Sequence, residues 1–365
     1  MNGLKQQKSG ALISVAALVV IIFGMQAAKV WLVPFLLAVF LALISVRPML
    51  WLQRNRVPSI LAALIIVLAL MLVIGLVGGI VGRSLAEFTA ALPNYQARLE
   101  TLVQSVGRMV VNYLGNDRPV PNLAELVDPG WAMGLAANIL NGVQDVLTNT
   151  FLILFTTVFI LLEASSMRTK ANAAFGQTAE GLQSARQFLN NLGRYLGIKT
   201  LISFVTGFFA WLLTRSMGLD FPLLWGMLAF LLNYVPTIGS IIAAVPAVLL
   251  ALITLGPGEA GGVALGFIAI NAVFGSFLEP RLMGYGVGIS PLIVFTGLIL
   301  WGWILGPVGM LLSVPLTMTL KLALESDERT RWIAILIGSE RDAEYELARI
   351  DEAQQAEEES AAAAS

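Results

Sequence analysis

The sequence predicts an all-α, multi-pass helical membrane protein with about six spans plus two inverted re-entrant helical hairpins, or about eight spans if the hairpins cross fully. Three observations predict it. The chain is 57% hydrophobic and 12% charged, with a mean hydropathy of +0.82, too apolar for a domain whose surface meets water. Its apolar runs approach the roughly 20 residues a helix needs to cross a bilayer core, and basic residues bound them. Two runs break in the middle, the first at "LNYVPTIGSII", Leu232 to Ile242. At membrane depth, backbone groups freed by such a break need a partner in protein or a wet cavity.

Composition also removes chemistries. The chain has no Cys and no His, which excludes disulfides, thiolates, Cys/His zinc sites and any Ser-His or Cys-His catalytic pair. No GxxxxGK[ST] pattern occurs, so no ATPase module is encoded. We therefore expect no enzyme, no cofactor and no metal site. A net charge of −1 with scattered basic residues gives no reason to expect a nucleic-acid partner. The expected partners are the lipid bilayer and a small solute.

Residues 1–84 read as N-terminal membrane helices forming a scaffold. Ala11 to Ala28 and Val30 to Val46 are two short spans divided by Lys29. Lys5 and Lys8 before the first imitate a signal peptide, but a second apolar run follows at once and no small-residue cleavage site intervenes, so the span is retained. Arg47, Arg54 and Arg56 follow the second span, which makes a hairpin with both basic ends cytoplasmic. Ser59 to Gly82 is a third span whose Gly75, Gly78, Gly79 and Gly82 predict a face packed closely on another helix.

Residues 85–148 form an amphipathic extramembrane segment, with Leu85, Phe88, Leu92, Tyr95, Leu99, Leu102, Val106, Met109, Val110 and Tyr113 at helical spacing. "NDRPVPN" interrupts it, and Trp131, Leu135, Ile139 and Val146 mark a second piece. Residues 149–194 hold a fourth span around Phe151 to Leu162 and a cytoplasmic linker helix with Arg168, Lys170, Arg186 and Arg194. The linker's Phe175, Leu182, Leu189 and Leu196 mark a surface helix. Residues 326–365 are an acidic cytoplasmic tail, which from Ser339 onward reads as a solvated helix fading into disorder. Both termini are expected on the cytoplasmic side.

Residues 195–325 form the transport core. A fifth span, Tyr195 to Met217, precedes the broken segment Phe221 to Leu255; after it come the span Val263 to Leu278 and a second broken segment. A shift of 69 positions superposes Pro222 on Pro291, Leu223 on Leu292, Leu231 on Leu300, Val245 on Val314 and Pro246 on Pro315. Each copy breaks near its middle, at "NYVPTIGS" and at "GWILGPVGM". Arms of about fifteen residues fall short of a roughly 30 Å core, which favours hairpins. A single span between the two turns the copies to face opposite ways, and interrupted helices in matching positions are the sequence mark of a secondary transporter's midplane site.

Asn233, Thr237 and Ser240 offer an amide and hydroxyls, and Pro236 and Gly239 free backbone groups, for a polar solute; the alternative is that they satisfy the hairpin tip alone. Gly306 and Pro307 stand at the second break. Glu279 is either a protonatable coupling carboxylate or half of an interfacial ion pair, with Arg281 close in sequence. Asn271 and Ser276 face the same cavity or make an interhelical hydrogen bond. Lys199 and Arg215 are read as snorkelling from the ends of the fifth span, and Trp301 and Trp303 as packing the second tip.

"LLWGMLAFLLNYVPTIGSIIAAVPAVLLAL", "FLEPRLMGYGVGISPL" and "WGWILGPVGMLLSVPLTMTLKLALE" closely resemble the autoinducer-2 exporter family of bacterial inner-membrane proteins. The resemblance implies a gradient-driven or facilitated exporter of small polar molecules, the namesake being the quorum-sensing signal autoinducer-2. It also implies a homo-oligomer, with a pentamer as the expected count, and a mobile part built on the hairpins. Some relatives are described as sodium or lithium/proton antiporters, so a proton or sodium is the candidate coupling ion and antiport is an alternative function. A non-transporting membrane scaffold is a further alternative. The motif positions carried over are Asn233, Pro236, Gly239, Glu279, Pro280, Arg281, Gly306 and Pro307. The sequence departs at Thr237, where the family usually has a second Asn, and at Tyr285, where it usually has Arg; the first weakens an amide-rich site and the second removes a positive charge.

Overall fold

The structure is a computed structural model. It describes residues 16–17, 19–114, 149–175, 180–236, 238–283 and 288–340, together with 343, 344, 347, 348 and 355. Among the described residues every regular element is a helix. The chain divides into two compact units, one of Trp31–Ser166 with Gly197–Glu279, the other of Met1–Val30 with Met167–Leu196 and Pro280–Ser365. Each broken segment belongs to a different unit.

In the first unit, α1 (Lys29–Arg54) contains Pro34 and Pro48 and buries Pro34, Ala38, Ala42, Ser45 and Met49. These recur at three- and four-residue steps, so they form one face. The small side chains of Ala38 and Ala42 admit α3 (Thr150–Phe175) closely: Leu161 is fully buried beside Ala42, Ala62, Ala63, Ile66 and Val67. The expected divide at Lys29 is not a loop. Helix at residues 19–27 is separated from α1 by Ala28 alone, whose amide still donates to the Gly24 carbonyl at 2.9 Å.

The helix α2 (Ser59–Leu114) runs for 56 residues, about 84 Å at 1.5 Å per residue. Only Ser59–Ala91 is apolar enough to span, so the remainder projects beyond the bilayer core. The expected boundary at 84/85 falls inside this helix, which continues through Pro93. The reason is packing: Val81, Phe88 and Tyr95 recur every seventh residue and are buried in the core around the first hairpin. Phe88 meets Phe221 and Trp225 edge-on at 5.9 and 5.8 Å, the arrangement aromatic quadrupoles prefer. The Tyr95 hydroxyl donates to Asp220 at 2.9 Å. Burial, and then this bond, push the phenol up to about 12. Of the other apolar positions expected to line this face, the side chains of Leu85, Leu92, Leu99, Leu102, Val106, Met109, Val110 and Tyr113 lie outside the described residues, as does all of 115–148.

Three of the four α2 glycines expected to pack closely on another helix do not do so among the described residues. A Cβ added at Gly75, Gly79 or Gly82 meets nothing within 4 Å. The helix is held at packed positions on either side, and a side chain at Gly75, Gly79 or Gly82 would meet no other described residue.

The helix α4 (Glu180–Ser216) is 37 residues long; the expected linker helix and fifth span are one element. Gly218 and Phe221, at φ 73 and 56, turn the chain into α5 (Pro222–Leu232) and α6 (Gly239–Thr254). These arms of 11 and 16 residues reach about 16 and 24 Å, too short to cross a core of roughly 30 Å. Gly207 of α4 and Gly226 of α5 bring the two backbones together: a Cβ at 207 would lie 2.7 Å from the Gly226 carbonyl, and one at 226 would lie 2.8 Å from that of Gly207. The following span, Pro257–Met283, comprises α7 (Pro257–Ile270), a π-helix over Asn271–Leu278 and α8 (Glu279–Met283).

In the second unit, α9 (Pro291–Leu305) is capped by the Ser290 hydroxyl, which accepts from the Ile293 amide at 3.3 Å. Gly306, at φ 73, reverses the chain into α10 (Pro307–Leu311) and α11 (Ser313–Glu325). The short α12 (Arg331–Ile337) follows, and its Ile337 carbonyl accepts from the Ser290 amide at 3.1 Å. Trp301 is buried and donates from Nε1 to Thr317 Oγ1 at 3.0 Å, whereas Trp303 is exposed. Only Trp301 packs the hairpin.

The two hairpins share an internal device. Gly239, which opens the second arm of the first, lies against the Leu232 carbonyl; Gly309, in the second arm of the other, lies against that of Trp301. Leu232 and Trp301 are the same 69 positions apart. Any side chain at either glycine would collide with backbone.

Candidate solute site at the first hairpin tip

The site begins with α4. Lys199, Ser203 and Thr206 recur at i, i+4 and i+7 on the apolar half of this helix, and all three are buried, together with Ala210 and Thr214 further along the face. A polar stripe buried inside a membrane helix is costly unless its groups find partners. Ser203 finds Asn233, whose Nδ2 donates to Ser203 Oγ at 2.9 Å. Thr200 accepts from the Tyr234 hydroxyl at 2.7 Å, and the Tyr234 ring is wedged edge-on against Phe40 and Phe230. Thr206 Oγ1 is buried with no hydrogen-bond partner among the described residues.

The third wall is the π-segment. Ser240 Oγ donates to Asn271 Oδ1 at 2.8 Å, and Asn271 opens the π-helix. A wide turn of this kind, which recurs at functional sites, ends where the Glu279 amide donates to the Phe274 carbonyl. Gly275 makes room for the Asn271 side chain, since a Cβ there would come 2.7 Å from Asn271 Oδ1. One turn on, Glu279 Oε1 accepts from Lys199 Nζ at 2.6 Å. Lys199 is 4% exposed; it does not snorkel, because its charge is neutralised inside the protein by a carboxylate 80 residues away in sequence.

Four hydrogen-bonded pairs, Asn233 with Ser203, Tyr234 with Thr200, Ser240 with Asn271 and Lys199 with Glu279, thus make up the polar seam within one unit. Pro236 shapes the tip, its carbonyl accepting from the Ile238 amide at 2.6 Å, and Gly239 closes it against α5. Thr237 lies outside the described residues. Gly306, Pro307 and Arg281 belong to the other unit. Ser276 is exposed, unlike Asn271 five residues before it. Arg215 sits over the Trp211 ring at 5.9 Å near the end of α4, in keeping with a snorkelling cation.

The sequence reads Lys199 as a snorkelling end charge, and the reading passes over Thr200, Ser203, Thr206 and Tyr234. The signal was present in "IKTLISFVTG", where the polar residues keep one helical face.

A family model described as AI-2E family transporter matches residues 13–328. The AI-2 transport protein TqsA of Escherichia coli (strain K12) is 39% identical over 337 residues, covering 92% of this chain and 96% of that protein. A Haemophilus influenzae protein is 36% identical, with 91% and 97% covered, and Escherichia coli YhhT is 34% identical, with 90% and 94% covered. The family and TqsA are described by transport and not by catalysis. With long apolar helices, a buried polar seam beside a short-armed hairpin and a family match over nearly its whole length, the chain belongs to the AI-2E transporter family of membrane proteins.

Proposed function

We propose that the chain exports autoinducer-2, or a similar small polar metabolite, across the bacterial inner membrane, with the solute path running beside the seam at the first hairpin tip. The observation that carries this is the content of the seam: amides and hydroxyls on three helices, plus one ion pair that cancels its own charge. Such a lining suits a neutral solute rich in hydroxyl groups, because it supplies donors and acceptors without a net field. Asn233, Ser240 and Asn271 are the proposed solute contacts, with Pro236, Thr237 and Gly239 shaping the tip. Gly306 and Pro307 take the corresponding place in the second hairpin.

Glu279 is the proposed coupling group, with a proton or sodium as the ion and Lys199 as its resting counter-charge. The open glycine face of α2 supports a homo-oligomer, in which it would meet another copy. Arg47, Arg54 and Arg56 support cytoplasmic termini by the positive-inside rule.

Counterflow of labelled autoinducer-2 into liposomes holding the purified protein, with and without a proton gradient, tests the reading. Flux above empty liposomes that responds to the gradient is expected. Its absence from correctly inserted protein removes autoinducer-2 as the solute. The intramembrane Lys199–Glu279 pair favours a second reading, cation/proton antiport, for which a salt pulse would move protons and Glu279→Gln would abolish that movement.

A further inference from the structure

The turn from α1 to α2 carries a charge pattern outside the proposed solute path. No Asp or Glu precedes Glu87, so Arg47, Arg54 and Arg56 have no acidic residue in α1, in the turn or in the first seven turns of α2. On α1, Arg47, Trp51 and Arg54 stand at i, i+4 and i+7, a single stripe. All three are exposed, Trp51 by 64%, while Ala42, Ser45 and Met49 are buried on the other side of the helix. The stripe therefore faces outward at the end of a membrane span, the depth at which indole rings and phospholipid headgroups meet.

The turn is built rather than loose. The Arg56 amide donates to the Gln53 carbonyl at 3.1 Å and the Val57 amide to that of Leu52 at 3.2 Å, the paired bonds of a Schellman ending. Gln53 Nε2 donates to Ser59 Oγ at 3.2 Å, and Leu52 and Val57 pack on the core shared by α1, α2 and α3. The left-handed position of this ending, usually Gly, is Arg56 at φ 64. A side chain there is strained, and strain retained at an exposed position points to a use for the residue.

We propose that the α1–α2 turn is a binding site for the headgroup of an anionic phospholipid. Arg54 and Arg56 hold the phosphate, since guanidinium groups match its geometry with paired N–H donors. Arg47, two stripe positions deeper than Arg54, adds charge by extending its long side chain back towards the headgroups, and Trp51 seats the lipid at the boundary between headgroup and acyl chains.

The test uses the full-length protein in detergent, titrated with brominated phosphatidylglycerol or brominated phosphatidylcholine, and reads quenching of the fluorescence lost in Trp51→Phe. Quenching by phosphatidylglycerol at several-fold lower concentration is expected. Arg54→Gln and Arg56→Gln should each weaken it by about fivefold, and Lys at both positions, which keeps the charge but not the paired donors, should restore only part of it. Arg56→Gly is the decisive variant: relief of the left-handed strain should hold or raise the Tm, while phosphatidylglycerol association falls about fivefold. Equal quenching by the two lipids, or unchanged association in Arg56→Gly, overturns the proposal. Displacement by millimolar inorganic phosphate overturns the lipid as the source of the anion.

Discussion

Lys199 Nζ and Glu279 Oε1 lie 2.6 Å apart, joining the middle of α4 to the end of the π-segment. Both charges sit in helices long and apolar enough to cross a membrane, so the pair must be removed or kept as a whole. Lys199→Met or Glu279→Gln alone leaves a buried charge unpaired and should cost about 3 kcal/mol. The double variant should recover most of the thermal stability measured in detergent. If transport is coupled through Glu279, the recovered double variant will still lack gradient-driven flux. Full coupling in it would remove Glu279 from that role.

Asn233→Ala takes the partner from Ser203 and leaves a buried hydroxyl, a loss of about 1–2 kcal/mol. That is small enough for insertion to survive. Counterflow should fall by roughly tenfold at unchanged membrane abundance, the effect of one hydrogen bond lost to the solute. Unchanged flux would place the solute path away from this tip.

Gly275→Ala should act on Asn271 without touching any donor or acceptor, because its methyl would displace the amide from Ser240. Flux in Gly275→Ala should therefore drop to the level of Asn271→Ala, and the two changes combined should cost no more than either alone. Additive losses would show that Asn271 works independently of that geometry.

Gly239→Ala drives a methyl into the Leu232 carbonyl, and Gly207→Ala drives one into that of Gly226. Backbone cannot step aside as a side chain can, so each should cost about 3 kcal/mol or more and reduce folded yield on size exclusion. Gly79→Ala, which meets nothing among the described residues, should leave the monomer's fold intact. A loss of oligomer in Gly79→Ala would place that face between copies.

Tyr95 gives a pH signature outside the membrane. Its phenol is pushed up to about 12 by burial and by the bond to Asp220, against an ordinary value near 10. The folded state holds the proton more tightly, so this contribution is complete below about pH 10 and is lost as pH rises towards 12. Thermal unfolding followed from pH 8 to 12 should show a steeper alkaline decline in the native protein than in Tyr95→Phe.

The glycines of α2 and the polar face of α4 show what could be read from sequence and what could not. Gly75, Gly79 and Gly82 have the spacing of a helix contact, but spacing does not say which helix, and among the described residues none arrives. Lys199, Ser203 and Thr206 also keep a helical face, yet a lysine near a span's end reads as solvated until its carboxylate is seen.

By itself the sequence determined the all-helical membrane class, the positions of most spans, the two breaks and their 69-residue repeat. These follow from local chemistry: apolar length satisfies the bilayer, and Pro and Gly decide where a helix stops. Only the tertiary structure decided that α2 runs unbroken from Ser59 to Leu114 and that a π-turn opens at Asn271. It also decided that Lys199 belongs to Glu279 and Ser203 to Asn233. The physical reason is that a buried polar group takes its meaning from its partner, and these partners lie 30 and 80 residues away in the chain, brought together by packing that no local pattern records.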